Sequence, residues 1–222
     1  MTPERIDKLR RALARRQPDL TVLADSVNKS HNVSAILRTA DAVGIHRVHA
    51  VSVNGVMRRH HMIAGGAKRW VGLTLHASTE AAIDALRAEG WRLLAAHTSA
   101  RARDYRDVDY TQKIAVIVGA ELIGVSQLAL DQADEHVAIP MHGLGESFNV
   151  SVATAVILLE AARQRQAAGR YDRCQLDADE YTRTLFEWAY PEIAERCREL
   201  GRAYPPLAED GTMLSNPLAP PP

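Results

Sequence analysis

Apolar side chains along residues 33–43 recur at Val33, Ile36, Leu37, Ala40 and Val43, the spacing that gives an α-helix one buried face, and Gly44 ends the run. Asn32 precedes the run where a capping side chain would accept a first-turn N–H, so it is read as the helix N-cap. Ser34, Arg38 and Asp41 fall on a different, polar face. Continuous apolar runs at residues 20–24 and 47–51 flank this helix and predict strands, as do residues 91–96, 115–118 and the shorter 137–139. Helices are predicted over residues 79–89, from Ser126, and over residues 149–166. The last of these is apolar nearly all round in its first half, which predicts a sheet on one side and a second subunit on the other. Ile6, Leu9 and Leu13 give residues 4–16 a helical stripe closed by Pro18. Residues 178–200 predict a tail helix, and the proline-rich end from Asn216 is expected to be disordered. Alternating strands and helices predict an α/β fold, a mostly parallel sheet flanked by helices, with helical extensions at both ends.

The chain's 222 residues are enough for one substantial domain and a true core, and the 46% hydrophobic content fits a globular protein. No stretch approaches the roughly 18 apolar residues of a membrane span and the N-terminus has no signal-peptide core, so a cytoplasmic location is expected. Cys174 and Cys197 suggest neither a disulfide framework nor a zinc site. None of the nine histidines shows ligand spacing; His60 and His61, for example, are adjacent and cannot share a helical face. No metal is therefore expected. The formal net charge of zero hides an asymmetry: residues 1–16 carry six basic and two acidic side chains, and residues 171–222 carry five basic and ten acidic. A basic arm on a neutral protein is the footprint of a polyanion partner, although a solvated amphipathic helix carries the same charge.

Several segments hold candidate chemistry. Residues 54–72 combine Arg58, Arg59, Lys68 and Arg69 with Gly65 and Gly66, a composition suited to a functional loop. The sequence V-G-A-E-L-I-G at residues 118–124 leaves a strand with glycines that let a ligand approach the backbone. A second loop, I-P-M-H-G-L-G-E-S-F-N at residues 139–149, enters the long helix with Ser147 and Asn149 placed where helix-start amides need acceptors. These two loops and the start of the Arg38 helix are expected at one sheet edge. Gly143 and Gly145 do not make a dinucleotide fingerprint, since Phe148 occupies the third glycine's position and the segment lies late in the chain.

The segments beginning at Asn32, Gly119 and Ile139 resemble, in order, the three motifs of the SpoU branch of the SPOUT methyltransferases. Residues 15–22 and 160–171 extend the resemblance toward its tRNA guanosine-18 group. The resemblance implies transfer of a methyl group from S-adenosylmethionine (AdoMet) to the ribose 2′-hydroxyl of a tRNA guanosine, with ribosomal RNA as the alternative substrate. It also implies a homodimer and a deep trefoil knot at about residues 115–165. The implied organisation is a basic helix at residues 1–18, a methyltransferase domain at 19–170 and a helical extension at 171–222.

By motif match, Arg38 is the expected catalytic residue at the ribose. Asn32 and Asn149 hold geometry, and Glu121 and Ser147 complete the pocket. AdoMet contacts are expected from Ala96, Gly119, Ile139, Met141 and Phe148. RNA contacts are expected from Lys8, Arg11 and Arg16 of the arm, from His31, and from Arg163, Arg165 and Arg173. Two positions depart from the near relatives: Glu146 replaces glutamine and Phe148 replaces leucine.

Overall fold

A computed structural model of the chain describes residues 1–52, 69–120 and 123–219. It divides into two compact units, one of Gln17–Arg170 and one of Met1–Arg16 with Tyr171–Pro222.

The larger unit is built on a seven-stranded sheet: β1 (Leu20–Asp25), β2 (Arg47–Val51), β3 (Gly72–His76), β4 (Arg92–Ala96), β5 (Arg103–Asp104), β6 (Ile114–Gly119) and β7 (Glu135–Ala138). The spatial order is β3-β2-β1-β6-β4-β7-β5, and every pairing is parallel. Parallel strands need crossovers, which helices supply and which cover both faces. Side-chain alternation shows both faces at work. Leu20, Val22 and Ala24 of β1, with Ile114, Val116 and Val118 of β6, join one core, together with Ile36 and Leu37 of α2 (Ser30–Ala42) and Ile157 and Leu158. Leu23, Ala115 and Ile117 turn the other way, onto Ala82, Ile83 and Leu86 of α3 (Thr79–Ala88) and Ala129 and Leu130 of α4 (Gln127–Gln132). That is why β1 and β6 read as unbroken apolar runs.

The long helix α5 (Val150–Ala167) starts at Asn149, whose side chain accepts from the Ser151 N–H at 2.9 Å, and it packs on α2. Its buried stripe is Thr154, Ile157, Leu158, Ala161 and Arg165, while Val152 and Leu159 are exposed.

In the smaller unit, α1 (Pro3–Ala14) buries the expected Ile6, Leu9 and Leu13, and the Thr2 side chain accepts from Arg5 at its start. The tail expected as one helix is two, α6 (Ala178–Ala189) and α7 (Pro191–Glu199). Pro191 removes an N–H and forces Tyr190 out of the helical region, to φ −133° and ψ 63°, so the helix restarts there.

Two further features differ from the sequence reading. Strand β3 is not among the predicted elements; all five of its residues are half-buried at the sheet edge, where Leu73 and Leu75 pack against the core. Asn32 is not an N-cap. Helix α2 begins at Ser30 with Lys29 in the cap position, and Asn32 lies buried in its first turn. Gly44 does end that segment, at φ 81°.

Candidate active site

Because all strands run parallel, the carboxyl ends of β4, β6 and β7 lie on one edge, where ligands of open α/β sheets bind. A cleft of about 450 Å³ opens there, within the range of roughly 300–1,000 Å³ typical of small-molecule sites. Ala96, His97 and Thr98 border it after β4, and Gly119, Ala120, Ile123 and Gly124 after β6. Ile139 and Met141 follow β7, Glu146, Ser147 and Phe148 precede α5, and Val150, Ala153 and Ile157 of α5 complete the wall. All five residues expected to hold the cofactor, Ala96, Gly119, Ile139, Met141 and Phe148, are in this lining. The two expected loops thus meet at one place.

The described residues on either side of the loop after β6 approach one another closely. Gly124 donates its N–H to Ala120 at 2.8 Å, and a Cβ at Gly119 would overlap the Gly124 backbone, so only glycine fits at 119. Glu121 falls outside the described residues, as do Arg58, Arg59, Gly65, Gly66 and Lys68 of the basic loop.

Arg38 is exposed on α2 and does not line the cleft of its own chain. Among the described residues its guanidinium has no hydrogen-bond or ion-pair partner, unlike most arginines in this unit. Asn32 and Asn149 are brought together: the Asn149 Nδ2 donates to the Asn32 Oδ1 at 3.2 Å, while the Asn149 Oδ1 accepts from the Ser151 N–H and hydroxyl. Asn149 therefore caps α5 and ties it to α2 with one carboxamide. Ser147 is exposed at the cleft mouth.

The ionisable side chains among the described lining residues are Glu146, which the sequence reading noted only as a departure from the near relatives, and His97, which it did not place in the site. The signal for His97 was its place one residue beyond a strand end. Burial, then His136 and Arg101 nearby, lower the His97 pKa, which favours a neutral imidazole in the cleft.

The residues expected to meet RNA divide sharply. Lys8 and Arg11 are exposed on α1, as are His31, Arg163 and Arg173 on their own segments. Arg163 is paired with Glu160 at 2.7 Å. Arg165 is a correction: it is fully buried, donating to the carbonyls of Tyr110 at 2.9 Å, Gln112 at 2.7 Å and Asp19 at 3.0 Å, to the Gln17 side chain at 3.0 Å and to the Asp19 carboxylate. A guanidinium committed in this way has no face for a phosphate. Arg16 is likewise buried, its guanidinium 4.9 Å over the Trp188 ring, where cation–π attraction holds it. Among the described residues no cluster of three or more potential metal ligands occurs.

Comparison with known proteins places this geometry. The model of the SpoU rRNA methylase family matches residues 19–159, and the model of its C-terminal region matches residues 163–216. The chain belongs to the SpoU methylase family. It is 45% identical to the tRNA (guanosine(18)-2′-O)-methyltransferase of Escherichia coli over 95% of this chain and 93% of that one. The crystal structure of the Aquifex aeolicus TrmH/SpoU tRNA modifying enzyme superposes with a TM-score of 0.78 at 37% identity, over 86% of this chain and 97% of that one. The SpoU methyltransferase AviRb of Streptomyces viridochromogenes, solved in complex with the cofactor AdoMet, superposes at 0.59 with 27% identity, over 69% of this chain and 62% of that one.

Proposed function

We propose that this chain transfers a methyl group from AdoMet to the ribose 2′-oxygen of guanosine 18 in tRNA, with AdoMet held in the cleft between the strand ends of β4, β6 and β7. The observation that carries the reading is the cleft itself, where the two loops singled out by sequence, from Gly119 and from Ile139, converge with the end of β4. Its donor set fits the group. Strand-end backbone at Ala96, Gly119 and Ile139 offers hydrogen bonds to a flat base, and Met141, Phe148 and Val150 offer apolar walls. Glu146 is an anionic neighbour for a sulfonium. The near full-length match to a tRNA enzyme favours tRNA over ribosomal RNA, since the 23S rRNA (guanosine-2′-O-)-methyltransferase RlmB of Bordetella pertussis is 36% identical and matched over only 61% of its length.

When bound, AdoMet supplies an electrophilic methyl, so the protein's work is alignment and charge management. Alignment of two bound reactants can contribute roughly 7–11 kcal/mol. Arginine, with a pKa above about 12, is a poor general base. Arg38 instead grips the phosphate beside the target ribose and polarises its hydroxyl, a role suited to an exposed guanidinium with no partner in the described part of its own chain. Asn32 and Asn149 hold the start of α5 and hence the Ser147–Phe148 wall.

Since Arg38 does not line the cleft of its own chain, the active unit is a homodimer in which Arg38 of one protomer serves the cleft of its partner. Exposed Leu144, Phe148, Val152 and Leu159 supply apolar surface for that pairing. The family's trefoil knot belongs to the same reading. It is supported by β6 inserting between β1 and β4 before the chain crosses to β7 on the far side of β4. Residues 1–18 and 171–222 extend a methyltransferase domain at 19–170. Lys8, Arg11, His31, Arg163 and Arg173 contact tRNA, and the enzyme acts in the cytoplasm. Arg38→Ala tests the assignment: AdoMet binding should persist while methyl transfer is lost, and normal transfer would refute it.

A further inference from the structure

Asp25, the last residue of β1, is 1% exposed and does not line the cleft, yet both ends of the loop at residues 119–126 are indexed to it. In the parallel register Asp25 pairs with Gly119, the last residue of β6, from which the loop leaves. Its carboxylate Oδ2 accepts the backbone N–H of Ser126, the last loop residue, at 2.9 Å. Its Oδ1 accepts the Thr79 hydroxyl at 2.6 Å. A buried carboxylate is tolerated only when hydrogen-bonded, and here the two oxygens take one donor each from the starts of two different segments. Ser26, the next residue, has φ 60°, a left-handed conformation that a non-glycine residue keeps only where its neighbours fix it.

We propose that Asp25 is a positioning residue for the cofactor: acting through the Ser126 amide, it holds residues 123–126 against Gly119 in the arrangement that binds AdoMet. The proposal rests on AdoMet occupying the cleft. Between its anchored ends the loop presents Gly119, Ala120, Ile123 and Gly124 to the cleft. A Cβ at Gly119 would overlap the backbone of Gly124 and Val125, so among the described residues the stretch just before Ser126 packs directly on Gly119, and displacement of Ser126 is passed to that lining. The Thr79 bond serves a different element, the start of α3, and should matter for stability alone.

The test is equilibrium binding of AdoMet and of S-adenosylhomocysteine, read beside thermal melting. Asp25→Asn should weaken both ligands about tenfold, the loss expected for a bond to a charged acceptor. Thr79→Val should lower the melting temperature and leave both affinities within about twofold. Ser126 already has φ −62°, within proline's range, so Ser126→Pro deletes the donor without moving that angle. Ser126→Ala removes only the side-chain cap on Ala129. Ser126→Pro should reproduce the affinity loss, and Ser126→Ala should not, which keeps the test decisive even if Asp25→Asn fails to fold. Affinities unchanged in folded Asp25→Asn or in Ser126→Pro would overturn the proposal. Ile139→Trp, which fills the cleft, should abolish binding; if it does not, the cleft reading fails instead.

Discussion

The carboxamides of Asn32 and Asn149 meet at 3.2 Å, joining the first turn of α2, which carries Arg38, to the start of α5, which closes the cleft. Each asparagine has a separate cost of removal. Asn149→Ala loses the α5 cap as well as the pair and should destabilise the fold by about 1–2 kcal/mol. Asn32→Ala removes the buried acceptor of the pair and leaves the exposed Asn149 amide to water, and should cost about 0.5–1.5 kcal/mol. Denaturant melts of both single variants and the double variant should show a loss smaller than the sum; strict additivity would mean the two side chains act independently.

Arg165 should behave as a core residue. Arg165→Ala strips donors from three carbonyls and leaves the half-buried Asp19 carboxylate without its main partner, and the expected loss is about 3–5 kcal/mol in chemical denaturation. Arg163, a near neighbour in sequence but exposed and paired only with Glu160, should cost less than about 1 kcal/mol when changed to alanine. Equal effects would contradict the burial assignment.

Stability should fall in mild acid. Burial first, and His76 second, lower the pKa of His49 from 6.5 to about 4; His49 Nδ1 lies 2.9 Å from His76 Nε2. A folded-state value below the unfolded one means that the unfolded chain takes the proton first as pH drops. This contribution is whole above about pH 6.5 and drains away as the pH falls toward about 4. His76 is shifted in the same direction. Melting temperatures followed from neutral pH into that window should decline for the native chain and decline less for His49→Gln. Identical slopes would show that the histidine pair does not set the response.

On α1, Lys8 and Arg11 are exposed, whereas Arg10 donates to the backbone carbonyls of Glu209 at 2.5 Å and Ala208 at 3.2 Å. Substituting Lys8 and Arg11 with alanine should weaken tRNA binding and reduce the slope of log affinity against log salt by about 0.7–0.9 for each phosphate no longer neutralised. Arg10→Ala should affect stability instead. A salt slope unaltered by the Lys8 and Arg11 changes would remove α1 from the RNA surface.

Much of this architecture was legible in the chain because its physics is local. Strands β1 and β6 are buried on both faces and so appear as unbroken apolar runs, and α2 shows its buried stripe at helical spacing. The cleft was legible because its lining follows strand ends, where glycine and capping residues gather. What escaped depends on distant partners. The side chain of Asn32, read as a cap, instead pairs with an amide 117 residues away, which no local pattern displays. Strand β3 is a short, half-buried edge whose apolar content is only Leu73 and Leu75. The burial of Arg165, in contrast, was encoded: with Thr154, Ile157, Leu158 and Ala161 it completes one helical stripe, and its charge masked the spacing.

Methylation of a single ribose oxygen in tRNA is the activity from which the roles of Arg38, the cleft and α1 all follow. Incubation with methyl-labelled AdoMet and unmodified tRNA, followed by nucleotide mapping, reads that activity out. The label should appear on the 2′-oxygen of guanosine 18; label on a base or at another nucleotide, or none with AdoMet demonstrably bound, would rule the activity out.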